Sequence, residues 1–575
     1  MITKTKKQTY RALVLGRDSR SFLSVIRSLG RKGIEVHVGW FQPRSSAMHS
    51  KYIKKIHQIP SFDSSRRSLT EIENIITKHD IDLVIPTNDE TILPLLVFRD
   101  QIKSPVKFYL PNKESEKNIF SKSKMYELAI NCHIPVPKRR VIRASDELEE
   151  VVREFGFPLI LKPDESFSVN HLTARRAVAK AFDEGSAKRM ANEMLKDGSL
   201  ECQSFFKGTG VGVEILAHEG KILYIFQHKR IHEDPMTGAS GYRKSEQVEP
   251  PLHSAVTSLV HSLNYTGVGM FEFRWNDRDH SWVFIELNPR FWGSLPLAVS
   301  AGADFPFFLF ELIVSKRLEF KNEYKTNIYC RNTQLELAWF KANFFPRRRH
   351  SLFKYRSFIS LLSEIKNIIL LRERNDTLTI DDPIPAIFEA IEAFRIIFAY
   401  VLSKIAITIL KLGPIRRYLN GLFLKQMKKV DNIIFLCSGN ICRSPFAEYL
   451  AKQKIPGKIK YSSRGLIQTA GRSSPKEALE VAREYQIDLS DHRSKCLEKN
   501  EVEKSSTLIV VFDELIYRRL FMMSPSSVFK AFFISCLSHT GPIQIKDPIG
   551  MSADRFKVAY KDIEVFIDAL KKGIE

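Results

Sequence analysis

The sequence predicts a multidomain α/β protein. Its parts are an open α/β sheet at the N-terminus, an α+β domain, a basic helical segment and a C-terminal doubly wound parallel sheet. Three observations carry this reading. The chain has 575 residues, more than a single hydrophobic core normally serves. Near the N-terminus, Leu13–Gly16, a helical stretch through Leu29-Gly30, and Ile34–Gly39 follow one another as strand, helix and strand. Near the C-terminus, the run Asn432–Leu436 has no polar alternation, as in a strand buried on both faces of a parallel sheet. The boundaries that follow are residues 1–110, 111–320, 321–430 and 431–575.

In the first segment, Ile81–Pro86 supplies a further strand, with Thr87-Asn-Asp-Glu90 at its mouth. The ligand edge of such a sheet lies at the strand carboxyl ends. Only Gly16 follows the first strand, so the full glycine fingerprint of a dinucleotide site is absent.

From residue 111 the pattern changes. Phe157–Pro163 reads as a strand presenting Lys162 at its end, a residue type suited to neutralising phosphate charge. Gln203-Ser204-Phe205-Phe206 precedes Gly208, Gly210 and Gly212 and the strand Val211–Leu216. Gly267–Arg274 and Val283–Arg290 read as two adjacent strands. Residues two apart share a strand face, so Glu286 and Asn288 point together, and Glu272 on the neighbouring strand completes a set of hard oxygen ligands. Magnesium is held by one or two carboxylates plus nucleotide phosphates, which fits this set.

Over about residues 10–320 the chain resembles the ATP-grasp superfamily, especially the carbamoyl-phosphate-synthase-like carboxylate–amine ligases. The resemblance implies an ATP-grasp α+β fold binding ATP and Mg2+. It implies that Lys124 and Lys162 contact ATP phosphates and that Gln203 and the backbone of Ser204–Phe206 meet the adenine. Glu272, Glu286 and Asn288 would carry magnesium, Arg290 would face the γ-phosphate or an acyl phosphate, and Arg230 would be a second anion contact. Two positions depart from the family pattern. Asp164–Ser168 stands where a glycine-rich flap is usual, and Gln203 stands where many members have Glu.

Residues 340–430 turn basic and helical, starting at Arg347-Arg-Arg349. Asp381-Asp-Pro-Ile-Pro385 breaks the pattern, and Ala386–Leu412 then reads as a long apolar helix interrupted by Arg395, Lys404 and Lys411. Such a helix fits either an anionic membrane interface or packing between domains, and both readings stay open.

The strand Asn432–Leu436 runs into Cys437-Ser-Gly-Asn-Ile-Cys-Arg443-Ser-Pro445. Ser444 reads as a helix N-cap and Pro445 as the first helical residue. A loop between strand and helix aims backbone N–H groups at one spot beside the positive helix end, where a phosphate-like dianion binds. Arg443 adds a planar fork for two of its oxygens. Cys437, at the base of the same cradle, is then a thiolate nucleophile for phosphoryl transfer.

This stretch resembles the low-molecular-weight protein tyrosine phosphatases, and the resemblance extends over residues 431–575. It implies Cys437 as nucleophile, Arg443 as phosphate-binding arginine and Asp547, in Lys546-Asp-Pro-Ile-Gly550, as the acid that protonates the leaving phenolate. Asn440 and Ser444 match the residues bracing the loop, with Gly439, Ile441 and Cys442 completing it, and Ile487–Arg493 looks like the family's segment ending in His-Arg. Ile549 stands where members often carry an aromatic lining the phosphotyrosine slot.

Seven scattered cysteines do not read as a disulfide framework and favour a reducing cytosol. Cys442 either packs or forms a reversible disulfide with Cys437. The N-terminal Tyr10–Gly16 is too short for a secretory core, and no uninterrupted apolar run approaches the ~20 residues that span a bilayer. The net charge of +23 raises nucleic acid or anionic membrane as partners, but no zinc spacing, recognition helix or aromatic RNA motif accompanies it. The expectation is a cytoplasmic bifunctional enzyme: an ATP- and Mg-dependent carboxylate–amine ligase joined to a phosphatase of phosphotyrosine proteins or small phosphoesters. Two alternatives are a nucleotide-sensing scaffold that regulates or localises the phosphatase, and an arsenate-reductase-like C-terminal domain using Cys496 or Cys536.

Overall fold

The computed structural model describes residues 9–18, 20–40, 45–60, 66–102, 106–163, 178–234, 238–344, 355–467, 469–538 and 540–575. Asp164–Ser168 and Arg347–Arg349 lie outside these described residues. The chain divides into two compact units, Met1–Ala390 and Ile391–Glu575.

The first unit opens with a five-stranded parallel sheet, β1 (Arg11–Leu15), β2 (Glu35–Trp40), β3 (Ile53–Gln58), β4 (Leu83–Pro86) and β5 (Lys107–Phe108), in the order β3-β2-β1-β4-β5. Ala12–Leu15 and Leu83–Ile85 are fully buried, because helices cover both faces of the sheet. The helix Ser21–Arg31 buries Phe22, Leu23, Val25, Ile26 and Leu29. At the carboxyl ends of β1 and β4, Thr87 donates from both its N–H and its hydroxyl to the Leu15 carbonyl, each at 2.9 Å.

A small antiparallel sheet follows: β6 (Arg139–Ile142), β7 (Leu159–Pro163), β8 (Ala179–Ala181) and β9 (Leu200–Ser204), in the order β6-β9-β7-β8. The main sheet of the unit has seven strands: β10 (Thr209–His218), β11 (Lys221–Glu233), β12 (Ser240–Glu246), β13 (Gly267–Trp275), β14 (Trp282–Asn288), β15 (Tyr329–Arg331) and β16 (Glu373–Asn375). Their order is β14-β13-β10-β11-β12-β15-β16, antiparallel up to the last pair, which is parallel.

The helical linker expected over 321–430 needs correction. β15 and β16 extend the main sheet, and residues up to Ala390 belong to the first unit. Asp382, fully buried, receives Arg27 Nε at 2.9 Å, Ser50 Oγ at 2.7 Å and the Lys51 N–H at 3.0 Å. Asp376 pairs with buried Arg243. Asp382, read from sequence as part of a break, is a fastener whose partners lie far away in sequence, and so is its neighbour Asp381, which accepts from Arg31 and Tyr52.

The helix Ile384–Leu410 is, by length and composition, apolar enough to cross a membrane, and most of its apolar stretch is exposed. The sequence expectation asked for an uninterrupted apolar run. Arg395 and Lys404 break the run without abolishing the apolar average.

The second unit is a four-stranded, all-parallel sheet: β17 (Asn432–Cys437), β18 (Lys460–Gly465), β19 (Thr507–Val511) and β20 (Ala531–Phe533), in the order β18-β17-β19-β20. Helices Arg443–Lys454 and Ala553–Ile574 pack through Phe446 and Tyr560, whose rings stack at 3.8 Å. Helix Gly413–Met427, also expected in the linker, is tied into this unit. Buried Arg416 donates through Nε to the carbonyls of Ser535 at 2.9 Å and Ser538 at 2.8 Å.

Candidate active sites

In the second unit, Cys437 ends the central strand β17 and is buried. The chain turns through Ser438–Cys442 and enters the helix Arg443–Lys454. Ser444 is not the N-cap expected from sequence: Cys442 holds that position without a side-chain cap. The Ser444 hydroxyl lies 3.0 Å from the Cys437 sulfur, and Asn440 Nδ2 donates to it at 3.0 Å. Occupied by the sulfur, that hydroxyl is not spent on the helix end.

Asn440, at φ +55°, organises the loop. Its N–H donates to Cys437 Sγ at 3.1 Å, and its Nδ2 also donates to Ser463 Oγ at 2.8 Å. Its Oδ1 accepts from the Lys495 N–H at 2.7 Å, and its carbonyl accepts from His492 Nε2 at 2.8 Å. Burial holds His492 below its ordinary pKa, so it serves as a neutral donor. A thiolate needs such fixed donors, because a buried charge is stable only when solvated by the protein.

Arg443 is almost fully buried. Its Nη1 donates to Asp513 Oδ2 at 2.6 Å and to the Ile545 carbonyl at 2.7 Å, and its Nη2 donates to Asp547 Oδ2 at 2.6 Å. Burial opposes its charge, but Cys437, Asp547 and Asp513 outweigh that and hold its pKa above the ordinary value. The Arg443 Nε finds no partner among the described residues. Burial pushes the Cys442 thiol far up, leaving it protonated and unreactive as it stands.

Sequence reasoning missed four groups here. Asp513 follows β19 and caps helix Glu514–Met523, so it shares the carboxyl edge of the sheet with Cys437. An acid just past a buried parallel strand was the available signal. Gly465 ends β18 opposite Cys437, and a Cβ there would lie 2.9 Å from the Gly439 carbonyl carbon and 3.1 Å from the Asn440 nitrogen. Arg472 donates to the Gly439 carbonyl at 2.7 Å, and Arg519 to Ser438 Oγ at 3.4 Å. No local pattern marks either arginine.

In the first unit, a cavity of about 410 Å³ is lined by residues of β7, β8, β9, β11, β12, β13 and β14. Of the expected residues, Lys162, Gln203, Ser204, Phe206 and Arg230 line it, and so do Glu272, Glu286, Asn288 and Arg290. Lys124 does not. It is exposed on helix Lys122–Asn131, and Tyr126 of that helix reaches Lys162 Nζ with its hydroxyl at 3.4 Å. Residues two apart on a helix do not share a face, so Lys124 and Tyr126 cannot both turn toward Lys162.

Burial disfavours the Lys162 charge, but Tyr126, Glu286 and Glu201 together hold its pKa up. Glu272 and Glu286 are cross-strand partners, and Asn288 Nδ2 lies 3.2 Å from Glu286 Oε1. Glu272 is also held by Arg230 at 2.7 Å; burial opposes its charge, but Arg230 keeps the carboxyl below its ordinary value. Among the described residues no cluster of three or more His, Cys, Asp or Glu side chains is poised to hold a metal. A cation here would take Glu286, Asn288 and Glu272 as hard oxygen donors, the set magnesium accepts when phosphates complete its shell. Arg290 forms a two-pronged pair with Asp89, both contacts at 2.7 Å.

Further groups in the lining of this cleft or buried behind it were not foreseen. Glu201 is fully buried, accepts from Arg139 at 3.0 Å and from Gln203 Nε2 at 2.5 Å, and supplies an acid two residues before Gln203. Lys180, on β8, has its ammonium pushed down to about 8 by burial and by Arg274. Glu214 and His228 meet at 2.5 Å; burial drives the carboxyl up and the imidazole down, making a neutral hydrogen-bonded pair.

Comparison with known proteins separates the two units. Residues 432–575 match the model of the low molecular weight phosphotyrosine protein phosphatase family. Over 142 residues the chain is 32% identical to the low molecular weight protein-tyrosine-phosphatase PtpB of Staphylococcus epidermidis, covering 24% of this chain and 96% of that protein. It is 30% identical over 134 residues to Wzb of Escherichia coli K12, covering 23% of this chain and 88% of the relative. The chain belongs to the low molecular weight phosphotyrosine protein phosphatase family. Membership rests on the second unit alone, where the phosphatase match takes in Cys437, Arg443, Asp513 and Asp547. The arsenate-reductase-like alternative is not favoured: Cys536 is buried and its thiol is pushed up to about 12, while Cys496 donates to the Ile467 carbonyl. The first unit lies outside the phosphatase match. It is similar to biotin carboxylase from Campylobacter jejuni (16% identity, TM-score 0.44, 56% of this chain and 74% of that one). It is also similar to L-amino acid ligase from Bacillus licheniformis (16% identity, TM-score 0.42, 56% and 79%).

Proposed function

We propose that the protein is a bifunctional enzyme. In the second unit, the Cys437 sulfur attacks the phosphorus of a phosphotyrosine or small aryl phosphate. Arg443 holds two non-bridging oxygens, and Asp547 gives its proton to the leaving phenolate. Water then cleaves the cysteinyl-phosphate, with Asp547 taking up its proton. The observation that carries this reading is the Cys437 sulfur held between the Asn440 N–H at 3.1 Å and the Ser444 hydroxyl at 3.0 Å, at the base of the arginine-closed loop. The test is Cys437→Ser, which is expected to abolish hydrolysis of p-nitrophenyl phosphate while vanadate still binds. Turnover by the serine variant near that of wild type rejects the nucleophile.

In the first unit, the reading is an ATP-grasp-type ligase that joins a small carboxylate to an amine. Lys162 and Arg290 neutralise phosphate charge, Gln203 and the Ser204–Phe206 backbone meet the adenine, and Arg230 orients Glu272. Glu286, Asn288 and Glu272 are the residues to hold Mg2+, which when bound supplies charge neutralisation of the nucleotide phosphates. The convergence of Lys162, Glu286, Asn288 and Arg290 on one cavity supports this reading. ATP consumption by the full chain across panels of carboxylates and amines tests it, and no magnesium-dependent nucleotide binding rejects it.

We place both activities in the cytoplasm. The basic, apolar stretch of residues 340–430 adds peripheral contact with an anionic membrane at the inner surface.

A further inference from the structure

Residues 358–374 of the first unit form two one-turn-scale helices, Phe358–Leu362 and Ile365–Ile369, leading into β16. Ser357 starts the first helix, its Oγ accepting from the Ser360 N–H at 3.2 Å. Leu371, at φ +53°, closes the second. Polar side chains that point inward anchor the pair. Buried Asn367 donates to the Tyr242 hydroxyl at 3.0 Å, Glu364 pairs with His232 and Arg331, and Glu373 pairs with Arg331 and accepts from Tyr242.

What points outward is apolar. Ile359 is 78% exposed, Ile369 73% and Leu371 75%, with Phe358, Leu362 and Ile368 also more than half exposed. Soluble surfaces rarely gather side chains of this size, and such patches mark interaction sites. The charges are sorted as well. Both acids of the stretch are consumed by inward pairs, whereas Lys366, Arg372 and Arg374 are exposed among the apolar side chains. Over residues 341–430 the sequence holds seventeen lysines and arginines against seven acids, a disproportionate share of the chain's net +23.

We propose that the outward face of residues 358–374 is a membrane-docking surface. Ile359, Leu362, Ile368, Ile369 and Leu371 enter the headgroup–acyl boundary of an anionic bilayer, and Lys366, Arg372 and Arg374 meet lipid phosphates. This rests on the peripheral-membrane reading above and assigns it to a surface other than the long apolar helix. A bilayer fits both halves of the face at once: apolar side chains are withdrawn from water, and cations sit at the depth of the anionic headgroups. A second copy of the same face would bring like charges together, and nucleic acid would leave the aliphatic side chains in water.

The test is co-sedimentation of the full chain with vesicles of phosphatidylcholine alone and of phosphatidylcholine with phosphatidylglycerol. The expected result is binding on the order of tenfold tighter to the anionic vesicles, weakened by salt. Ile359→Glu/Ile369→Glu/Leu371→Glu is expected to lower binding by at least about tenfold. Lys366→Glu/Arg372→Glu/Arg374→Glu is expected to erase the lipid preference. Phosphatase turnover stays at the wild-type value in both, and tryptophan fluorescence confirms that the first unit is folded. If the glutamate triple does not fold, the same positions changed to serine carry the test. Wild-type binding that survives the triple substitution overturns this assignment but leaves peripheral binding through another segment standing. No binding to either vesicle overturns both. A concentration-dependent dimer abolished by the triple, without vesicle binding, assigns the face to a second copy and also overturns the proposal.

Discussion

Asp547 accepts a 2.6 Å hydrogen bond from Nη2 of Arg443, so the group assigned as general acid rests on the group assigned to hold the phosphate. In the proposed reaction this contact is exchanged when a phosphate ester enters: Arg443 Nη2 leaves the carboxyl for an ester oxygen, and the released carboxyl faces the leaving group. Asp513 and the Ile545 carbonyl accept from Nη1, so that side of the guanidinium is held apart from the Asp547 contact.

This arrangement separates an acid from a mere arginine partner. Asp547→Asn keeps a hydrogen-bond acceptor for Arg443 but has no proton to give. Hydrolysis of esters with poor leaving groups is expected to fall about 10²–10⁴-fold, and of esters with very good ones much less. A leaving-group series at fixed pH measures this, and an equal loss along the series assigns Asp547 a structural role instead.

Gly465 is where β18 and the phosphate loop come too close for a side chain. Gly465→Ala must push Gly439 and Asn440 away, and with them the N–H that serves the Cys437 sulfur. A loss on the order of 10²-fold in kcat/KM is expected from so small a displacement, at a stability cost of about 1–3 kcal/mol. Steady-state kinetics alongside chemical unfolding distinguishes this from simple collapse of the domain, which takes all activity with it.

Sequence legibility followed the range of the interactions. Cys437, Asn440, Arg443 and Ser444 sit in one strand–loop–helix unit, where buried-strand composition and spacing speak directly. Glu286 and Asn288 share a strand, and the period of two places them together. Lys124 failed because its face depends on a helical phase that a lone lysine does not set, whereas Tyr126 carries the buried side of that helix. Asp513, Gly465, Arg472 and Asp382 take their meaning from residues on other elements, and no local pattern encodes such a partner. Asp381-Asp382-Pro383 has the composition of a helix break and read as one.

Asp382 gives that point a measurable form. Its carboxylate is the buried counter-charge of Arg27, with the two side chains 0% and 3% exposed. Asp382→Ala leaves the guanidinium without its counter-charge, holding only the backbone carbonyl of residue 382 at 2.6 Å, and frees Ser50 and the Lys51 N–H; it is expected to destabilise the first unit by about 3–5 kcal/mol. All five tryptophans lie at or before residue 339, so fluorescence-detected urea unfolding reports the first unit alone. Phosphatase activity is expected to persist at urea concentrations where that signal is already lost.

Lys180 predicts a proton linkage in the cleft. Burial and Arg274 push its ammonium down to about 8, and a bound polyanion raises it again toward its ordinary value. Between those two values binding takes up a proton, so nucleotide affinity is expected to fall as pH rises above about 8, at most tenfold per pH unit. Titration calorimetry in buffers of differing ionisation enthalpy reads the proton uptake. Lys180→Met is expected to flatten the slope.

The metal and phosphate roles proposed for this cleft are separable because their residues lie on different strands. Glu286 and Asn288 face together on β14, with Glu272 opposite, whereas Lys162 ends β7 and is held by Tyr126. Glu286→Gln keeps the size and the hydrogen bond to Asn288 but removes the charge a divalent cation needs. Magnesium-dependent tightening of a non-hydrolysable ATP analogue is therefore expected to disappear, while metal-free binding persists. Lys162→Ala is expected to weaken the analogue with and without magnesium, because it removes the cation proposed to meet phosphate directly. Titration of each full-length variant at matched ionic strength compares the two, and p-nitrophenyl phosphate turnover serves as the internal control for the second unit. Equal losses in both variants, with and without metal, reduce the two residues to one shared structural role and remove the basis for a magnesium site at Glu286.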